Sequence, residues 1–412
     1  MGKKWFLVGT AAYLFLCFIV FPFLLHLPVV LTFGSDAIAY SGAAVNFLKY
    51  GFLSLDNIHP LVEREPGMSM FLALVYSVFG IENAWGFFVA QGLFLFAASF
   101  AFSTQIGRVT SARVGGLCFL LLLTSGSVLH SMFSAYRECF ALIVLLFFSA
   151  LYFSDRKSPS LWKIAGMGLL FGALILTYYS FVFFPPVLLF VRFVDRRPFL
   201  PMVAAIVLCY AIVAVAGIRN YSYDGRFRVV DDRRSAAMWY ARGEQAQNVR
   251  GLEPFRCLWS EYISRDWSNR SPDCSFNAVK NRRWPDGLVA SDDYAAIARE
   301  GQAKIRTNFL SYLWFSAIDV IELHLPFVGG GWSTAFNAYA ALTAFILYVG
   351  CLFAVRLLFD RRFLFLTLII FYNTGVFVLT DATPRYLVPV LFCYAVFGAL
   401  GYDALLKRFH RS

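Results

Sequence analysis

Ten stretches of this chain are apolar for long enough to be read as membrane crossings, and this feature constrains everything else. They lie at roughly 5–33, 84–106, 114–134, 138–154, 163–178, 180–194, 199–218, 333–358, 363–380 and 386–406. A helix crosses the hydrocarbon core in about 17–25 residues, and in lipid it must satisfy its own backbone N–H and C=O groups. The fifth and sixth stretches sit at the short limit. The first is too long for a cleaved signal, contains Pro22, His26 and Pro28, and lacks a small-x-small cleavage site, so a retained span is expected. Composition agrees, with 59% of 412 residues hydrophobic, 18% aromatic and only 15% charged. Soluble domains carry about 25% charged residues. A water-soluble globule and a disordered chain are both excluded.

The formal net charge of +11 raises nucleic acid as a partner, but in a membrane chain basic residues first report orientation. Ends assigned to the cytoplasm carry Lys3, Lys4, Arg108, Arg113, Arg156, Lys157, Lys163, Arg192, Arg196, Arg197, Arg356, Arg361, Arg362, Lys407, Arg408 and Arg411. The short segments on the other side carry only Lys49, Arg64, Arg137 and Arg385. The remaining basic residues lie in the long 219–332 segment, where acids nearly balance them, and long loops do not vote. Both termini are therefore expected inside, and no nucleic-acid role is expected. Two further apolar stretches, 67–79 and 309–323, read as interfacial helices on the outer face. The first has Met68, Phe71, Leu72, Val75 and Phe79 at helical spacing but rises only about 20 Å. The second contains Asp319 and Glu322. The organisation expected is a seven-span module (1–218), an extracytoplasmic loop domain (219–332) and a three-span module (333–412). In the loop, Ser291 begins a helix with Tyr294, Ile297, Ala298 and Ile305 on one side, and Asn308 caps the next helix. No internal repeat is visible.

Chemistry-bearing residues gather on the outer side. Asp36 opens a helix that follows the first span, and Tyr40 lies one turn on, on the same face. His59, Glu63, Arg64 and Glu65 precede Pro66, which suits a first helical turn. Glu138 opens the fourth span beside Arg137, Arg219 ends the seventh, and Arg385-Tyr386 start the tenth. Acids at a membrane edge are functional candidates, and arginine offers a fork of donors suited to phosphate. Each residue also has a plain structural reading. Asp36 caps its helix, Arg64 pairs with Glu63 or Glu65, His59 sits in a turn beside Pro60, Glu138 meets its helix dipole, and the arginines snorkel. The spacing holds no tight metal motif.

These parts, in this order, resemble the GT-C type membrane glycosyltransferases that use polyprenyl-phosphate sugars, the broad class of protein mannosyltransferases and aminoarabinose transferases. The likeness is carried by Asp36-x-x-x-Tyr40-x-x-x-Ala44 with Lys49-Tyr50-Gly51, then Arg64-Glu65-Pro66-Gly67 leading into Phe71-Leu72-Ala73. It continues through Val78-Phe79-Gly80, Glu138, Gly168-x-x-x-Gly172-Ala173 before Pro185-Pro186, Arg219-Asn220-Tyr221, and Arg385-Tyr386 with Pro389. Two positions depart from it. Ala37 follows Asp36 where many relatives have a second acid, and Tyr178-Tyr179 stand where many have a basic residue.

The resemblance implies an all-α integral-membrane GT-C fold with outer juxtamembrane helices and one long outer loop. It implies an inverting transfer of a sugar from a polyprenyl-phosphate donor to a hydroxyl on a glycan, lipid or protein acceptor, at the extracytoplasmic face of the plasma membrane. Asp36 would be the base, with Glu65 or Glu63 as the second carboxylate. Arg385, Arg219 and Arg64 would be phosphate ligands, and Tyr40, His59, Glu138 and Tyr386 would line the substrate site. No cofactor is expected from the residues, and divalent metal is left open. A lipid-linked glycan polymerase or ligase, and a transporter or flippase, remain the alternatives. Of eight cysteines, only Cys257 and Cys274 lie in the outer loop, where an oxidising compartment would let them bridge.

Overall fold

The computed structural model describes residues 2–24, 35–56, 58, 64–154, 160–230, 232–248, 294–325, 334–380 and 383–409. His59, Glu63, the start expected at Ser291, and the Cys257–Cys274 pair lie outside the described residues. The first apolar run folds as α1 (Gly2–Phe15), which continues as a π-helical stretch (Leu16–Leu24). There follow α2 (Ser35–Tyr50), α3 (Pro66–Phe79), α4 (Ala84–Val109), α5 (Ala112–Leu123) and α6 (Gly126–Met132). Next come α7 (Arg137–Ser154), α8 (Leu161–Thr177), α9 (Pro185–Val194) and α10 (Leu200–Asp224). The long segment contributes α11 (Asp232–Asn248), α12 (Tyr294–Thr307) and α13 (Phe309–His324). The last part is α14 (Thr334–Ala354), α15 (Leu364–Thr380), a 3-10 turn (Pro384–Val390) and α16 (Leu391–Phe409).

Every apolar run thus holds a helix. By length and composition, six helices can cross a membrane among the described residues, or seven when α5 and α6 are one span bent by 54°. Ten crossings therefore remain an expectation, since the other three runs hold shorter apolar helices among the described residues. The first turns π-helical at Leu16, and the sixth cannot begin before Pro185.

Local chemistry sets the boundaries. Asn83 caps α4 by accepting the Gly86 N–H at 2.8 Å, and Ser111 accepts the Val114 N–H to start α5. Gly225, at φ 69°, ends α10 in the left-handed conformation. At the break between α5 and α6, side chains of α14 replace the interrupted helical bonds. Thr343 Oγ1 accepts the Gly126 N–H at 3.0 Å, and Tyr339 Oη donates to the Thr124 carbonyl. A bent helix in lipid requires such replacement.

α7 and α16 form the centre of the bundle, and α10 and α14 lie at its periphery. Contacts sort the helix ends into two sets. The start of α7 touches Glu65 and Arg385. Near its other end, Tyr152 stacks on Phe365 at 4.3 Å and lies beneath Arg192 and Arg197. Fifteen residues of helix separate the two sets by about 22 Å. Arg113 and Asp403, 3.6 Å apart, mark the distal set.

Three local expectations are corrected. Phe79 does not share the buried face of α3; it is exposed, while Met68, Phe71, Leu72 and Val75 are buried against α2 and α4. Asn308 stands at the start of α13 but makes no side-chain cap. Its Nδ2 turns back to the Lys304 carbonyl at 3.0 Å. Asp319 and Glu322 are buried, because α13 packs between α11, α15 and the 3-10 turn. In α12, Ile297 and Ile305 are buried as the periodicity predicts.

Candidate active site

Asp36 is the second residue of α2, where unbonded N–H groups and the helix dipole favour a carboxylate. It does more than complement a helix end. It pairs with Arg64 from the segment entering α3, and with Arg385 Nη2 at 3.1 Å. Arg385 Nε lies 3.8 Å from Glu138 Oε1, and Arg137 Nε lies 3.9 Å from the same oxygen. These are ion-pair rather than hydrogen-bond distances. Arg137 in turn pairs with buried Glu65. The order is therefore Arg64, Asp36, Arg385, Glu138, Arg137, Glu65, alternating in sign throughout.

Helix starts build this row. α2, α3, α7 and the Pro384–Val390 turn all begin at the same end of the bundle. Pro66 at the first position of α3 costs no helical hydrogen bond. Gly67 lets that start close onto the end of α8. A Cβ there would stand 2.3 Å from Thr177 Oγ1 and 2.9 Å from the Leu176 carbonyl oxygen. Aromatic rings wall the arginines. Arg64 lies 5.7 Å from the Tyr40 ring centroid and Arg137 4.8 Å from Tyr178. Arg385 lies 5.0 Å from Tyr386 and 5.6 Å from Tyr136, and donates to the Tyr386 hydroxyl at 3.1 Å. Such contacts hold a guanidinium over a ring face without neutralising it.

Accessibility divides the row into two halves. Asp36, Arg64 and Arg385 retain 18%, 22% and 23% side-chain exposure, against 8%, 6% and 2% for Arg137, Glu65 and Glu138. A solute can reach the first three, and the second three support them from behind. Burial opposes the charge on Arg64, but the adjacent Asp36 carboxylate outweighs it and raises the Arg64 pKa. Burial pushes the Tyr40 phenol up to about 12, so it remains a protonated donor.

Of the residues singled out in the sequence, Asp36, Tyr40, Arg64, Glu65, Glu138, Arg385 and Tyr386 come together here. Arg64 takes Asp36 as its partner, across 28 positions of chain. Arg219 makes local hydrogen bonds, with Nε and Nη2 donating to Asn220 Oδ1. The Asn220 amide goes on to the Arg228 and Val229 carbonyls. The sequence reading gives Arg137, Tyr136 and Tyr178 no role in the site. The only signal was an arginine at the very start of an apolar run, which had been read as topology alone. Tyr178 occupies one of the positions where the resemblance calls for a basic residue, and here its ring carries the guanidinium of Arg137. Among the described residues, no three His, Cys, Asp or Glu side chains stand close enough to hold a metal ion; Asp36, Glu65 and Glu138 each face at least one arginine.

The sequence matches no family model and no curated protein. Among solved structures, the chain is similar to ArnT from Cupriavidus metallidurans bound to undecaprenyl phosphate, at 14% identity and a TM-score of 0.44 over 98% of this chain and 78% of that one. The same protein in its apo state gives 14% identity and a TM-score of 0.43, over 97% of this chain and 77% of that one. The chain is also similar to the apo oligosaccharyltransferase of Archaeoglobus fulgidus, at 13% identity and a TM-score of 0.56 over 100% of this chain and 51% of that one. It thus spans about half the length of that oligosaccharyltransferase. At this identity the likeness speaks to the fold alone, and the fold is the expected one: an all-α, membrane-embedded bundle of GT-C type.

Proposed function

We propose that this protein is an integral-membrane glycosyltransferase that moves a sugar from a polyprenyl-phosphate donor to an acceptor hydroxyl, with inversion. One observation carries the reading. An accessible carboxylate, Asp36, is held between two accessible guanidiniums, Arg64 and Arg385, at a bundle end where helix starts converge. The lipid tail of the donor remains in the bilayer while its phosphate approaches the guanidiniums. Arg385 is the first phosphate ligand, Arg64 the second, and Arg219 a further candidate. Phosphate taking Arg385 relieves Asp36 of one counter-charge and leaves it able to accept a proton.

The acceptor O–H proton passes to Asp36 as the acceptor oxygen bonds to the anomeric carbon from the face opposite the phosphate. The bond between that carbon and the phosphate oxygen breaks, and its electron pair leaves on the polyprenyl phosphate, where positive charge stabilises it. Glu65 and Glu138 hold Arg137 and Arg385 in place, Tyr40 and Tyr386 wall the site, and Glu63, adjacent to Arg64, and His59, five positions before it, are further candidates. The active end faces the extracytoplasmic side of the plasma membrane, with both termini cytoplasmic, on the basic-residue asymmetry.

A second reading concerns what is transferred. The similar archaeal protein is named an oligosaccharyltransferase, and the same chemistry here would deliver a preassembled lipid-linked glycan. A transporter is less favoured, because the paired acids of the site sit at helix starts instead of midway along spans.

The decisive test uses purified protein with polyprenyl-phosphate monosaccharide and lipid-linked oligosaccharide donors in parallel. The sugar and acceptor come first from mass spectrometry of envelope glycans with and without the gene. Asp36→Asn keeps shape and removes the proton acceptor. Its rate should fall about 10²–10⁴-fold while polyprenyl phosphate binds at least as tightly as to wild type. Activity within a few-fold of wild type would remove Asp36 as the base and make Glu65 the next candidate.

A further inference from the structure

A deeply buried arginine–carboxylate pair outside the site is made by Arg242 of α11. Arg242 is 3% exposed and pairs with Asp319 of α13, itself 2% exposed. Nη1 also donates to Gln245 Oε1 at 3.2 Å, and the Nε and Nη2 donors go to the end of α15. Nε bonds the Thr380 carbonyl, and Nη2 bonds those of Val378 at 3.1 Å and Phe377 at 3.4 Å. Tyr312 of α13 donates to the Leu379 carbonyl at 3.0 Å. The last four carbonyls of a helix have no intrahelical partner, and a cation there also complements the dipole. Here all four, from Phe377 to Thr380, are taken by side chains from the long outer segment.

The end of α15 is also the wall against which the arginine-bearing turn rests. Phe377 stacks on Tyr386 at 4.5 Å with an interplanar angle of 22°. Asn373 Nδ2 donates to the Tyr386 carbonyl at 3.1 Å. Tyr386 receives the Arg385 guanidinium through its hydroxyl and its ring. A continuous line of contacts therefore runs from Arg242 through the α15 carbonyls, Phe377 and Tyr386 to Arg385 and Asp36.

α11 is closely packed on α12. It crosses α12 backbone to backbone at Gly243 and Gly301, where a Cβ on Gly301 would stand 2.2 Å from the Trp239 carbonyl oxygen. Arg242 adjoins that crossing, its guanidinium 5.2 Å from the Phe315 ring centroid.

We propose that Arg242, locked by Asp319, is a positioning residue for Arg385: the outer segment clamps the end of α15 and thereby sets the turn that presents Arg385 to an anionic donor headgroup. The clamp follows from the contacts alone; its consequence for the donor rests on the glycosyltransferase reading above. A bundle that merely needed a stable α15 would be served by capping from within its own layer. Here the cap comes from the long 219–332 segment, so the seating of α11 and α13 and the readiness of Arg385 are coupled.

The test compares wild type, Arg242→Lys, Arg242→Gln and Asp319→Asn in detergent. Two readouts are taken, amide hydrogen exchange across residues 373–380 and 383–390, and binding of undecaprenyl phosphate. The expected result for Arg242→Gln is faster exchange in both stretches and roughly 10–100-fold weaker phosphate-lipid binding, the scale of a small misplacement of a binding group. Arg242→Lys should recover part of both, because an ammonium still caps carbonyls. Asp319→Asn should show the same changes to a smaller extent, and it carries the test if Arg242→Gln does not fold. Unchanged exchange at 383–390 in folded variants overturns the clamp. Faster exchange with unchanged lipid binding overturns the link to Arg385. Wild type that binds no polyprenyl phosphate overturns the donor reading, and exchange alone then decides the clamp.

Discussion

At the scale of single residues, six charged side chains alternate in sign, but they do not have equal duties. Arg385 is accessible and Arg137 is not, so their substitutions should differ in kind. A guanidinium grips two phosphate oxygens where an ammonium acts as a point charge. Arg385→Lys should therefore slow transfer and Arg385→Ala slow it more, with little change in thermal stability. Steady-state kinetics beside a melting curve measure both. Full activity in Arg385→Ala would move the phosphate role to Arg64 or Arg219. Arg137→Met should show the opposite balance. It takes the paired arginine from buried Glu65 and leaves Arg385, at 3.8 Å, to face Glu138, a loss of about 3–5 kcal/mol by the usual cost of breaking a buried pair. A melting temperature close to wild type would mean that these acids find other partners.

At the scale of elements, the site depends on how closely helix starts approach the bundle. α3 reaches α8 only because residue 67 has no side chain. The contacts there are backbone and a short hydroxyl, which cannot swing aside as a long flexible side chain can. Gly67→Ala should push the start of α3 outward and take Arg64 and Glu65 with it. Its unfolding free energy should fall by no more than an ordinary overpacking cost of about 1–3 kcal/mol, while transfer activity falls more than tenfold, the scale of a displaced catalytic group. Equal, small losses in both would show that the α3 start does not carry the geometry. The bend between α5 and α6 illustrates the same dependence. Neither helix alone satisfies Gly126 N–H and the Thr124 carbonyl, and α14 supplies Thr343 and Tyr339 to both.

At the scale of the whole molecule, charge is divided between two ends. One end holds the alternating row. The other holds Arg113 with Asp403 and the arginines over Tyr152. The excess of lysine and arginine at the second set of ends is the ground on which we propose it as the cytoplasmic side. Reporter fusions at the C-terminal end and within the 219–332 segment should therefore report opposite sides of the membrane. Finding both on one side would reverse or break the proposed topology, and would move Asp36 away from the extracytoplasmic face.

Much of this was legible in the linear chain, for a physical reason. Transfer of apolar side chains into lipid and the 3.6-residue helical period are local quantities, summed over neighbours, so the class of fold and the place of the apolar helices could be read directly, while polar α11 and the break between α5 and α6 could not. Position at the edge of an apolar run marked Asp36, Glu138 and Arg385, because a charge beside lipid is costly without a purpose. Pairing was a different matter. Arg64 lies beside Glu65 in sequence, yet it bonds Asp36, while Glu65 bonds Arg137 across 72 positions. Arg242 and Asp319 meet across 77 positions, with nothing local to announce them. Ion pairs between distant segments depend on which helix starts converge and how closely their backbones approach. Glycine contacts, a bent span and the seating of α13 decide that, and these exist only once the bundle has packed.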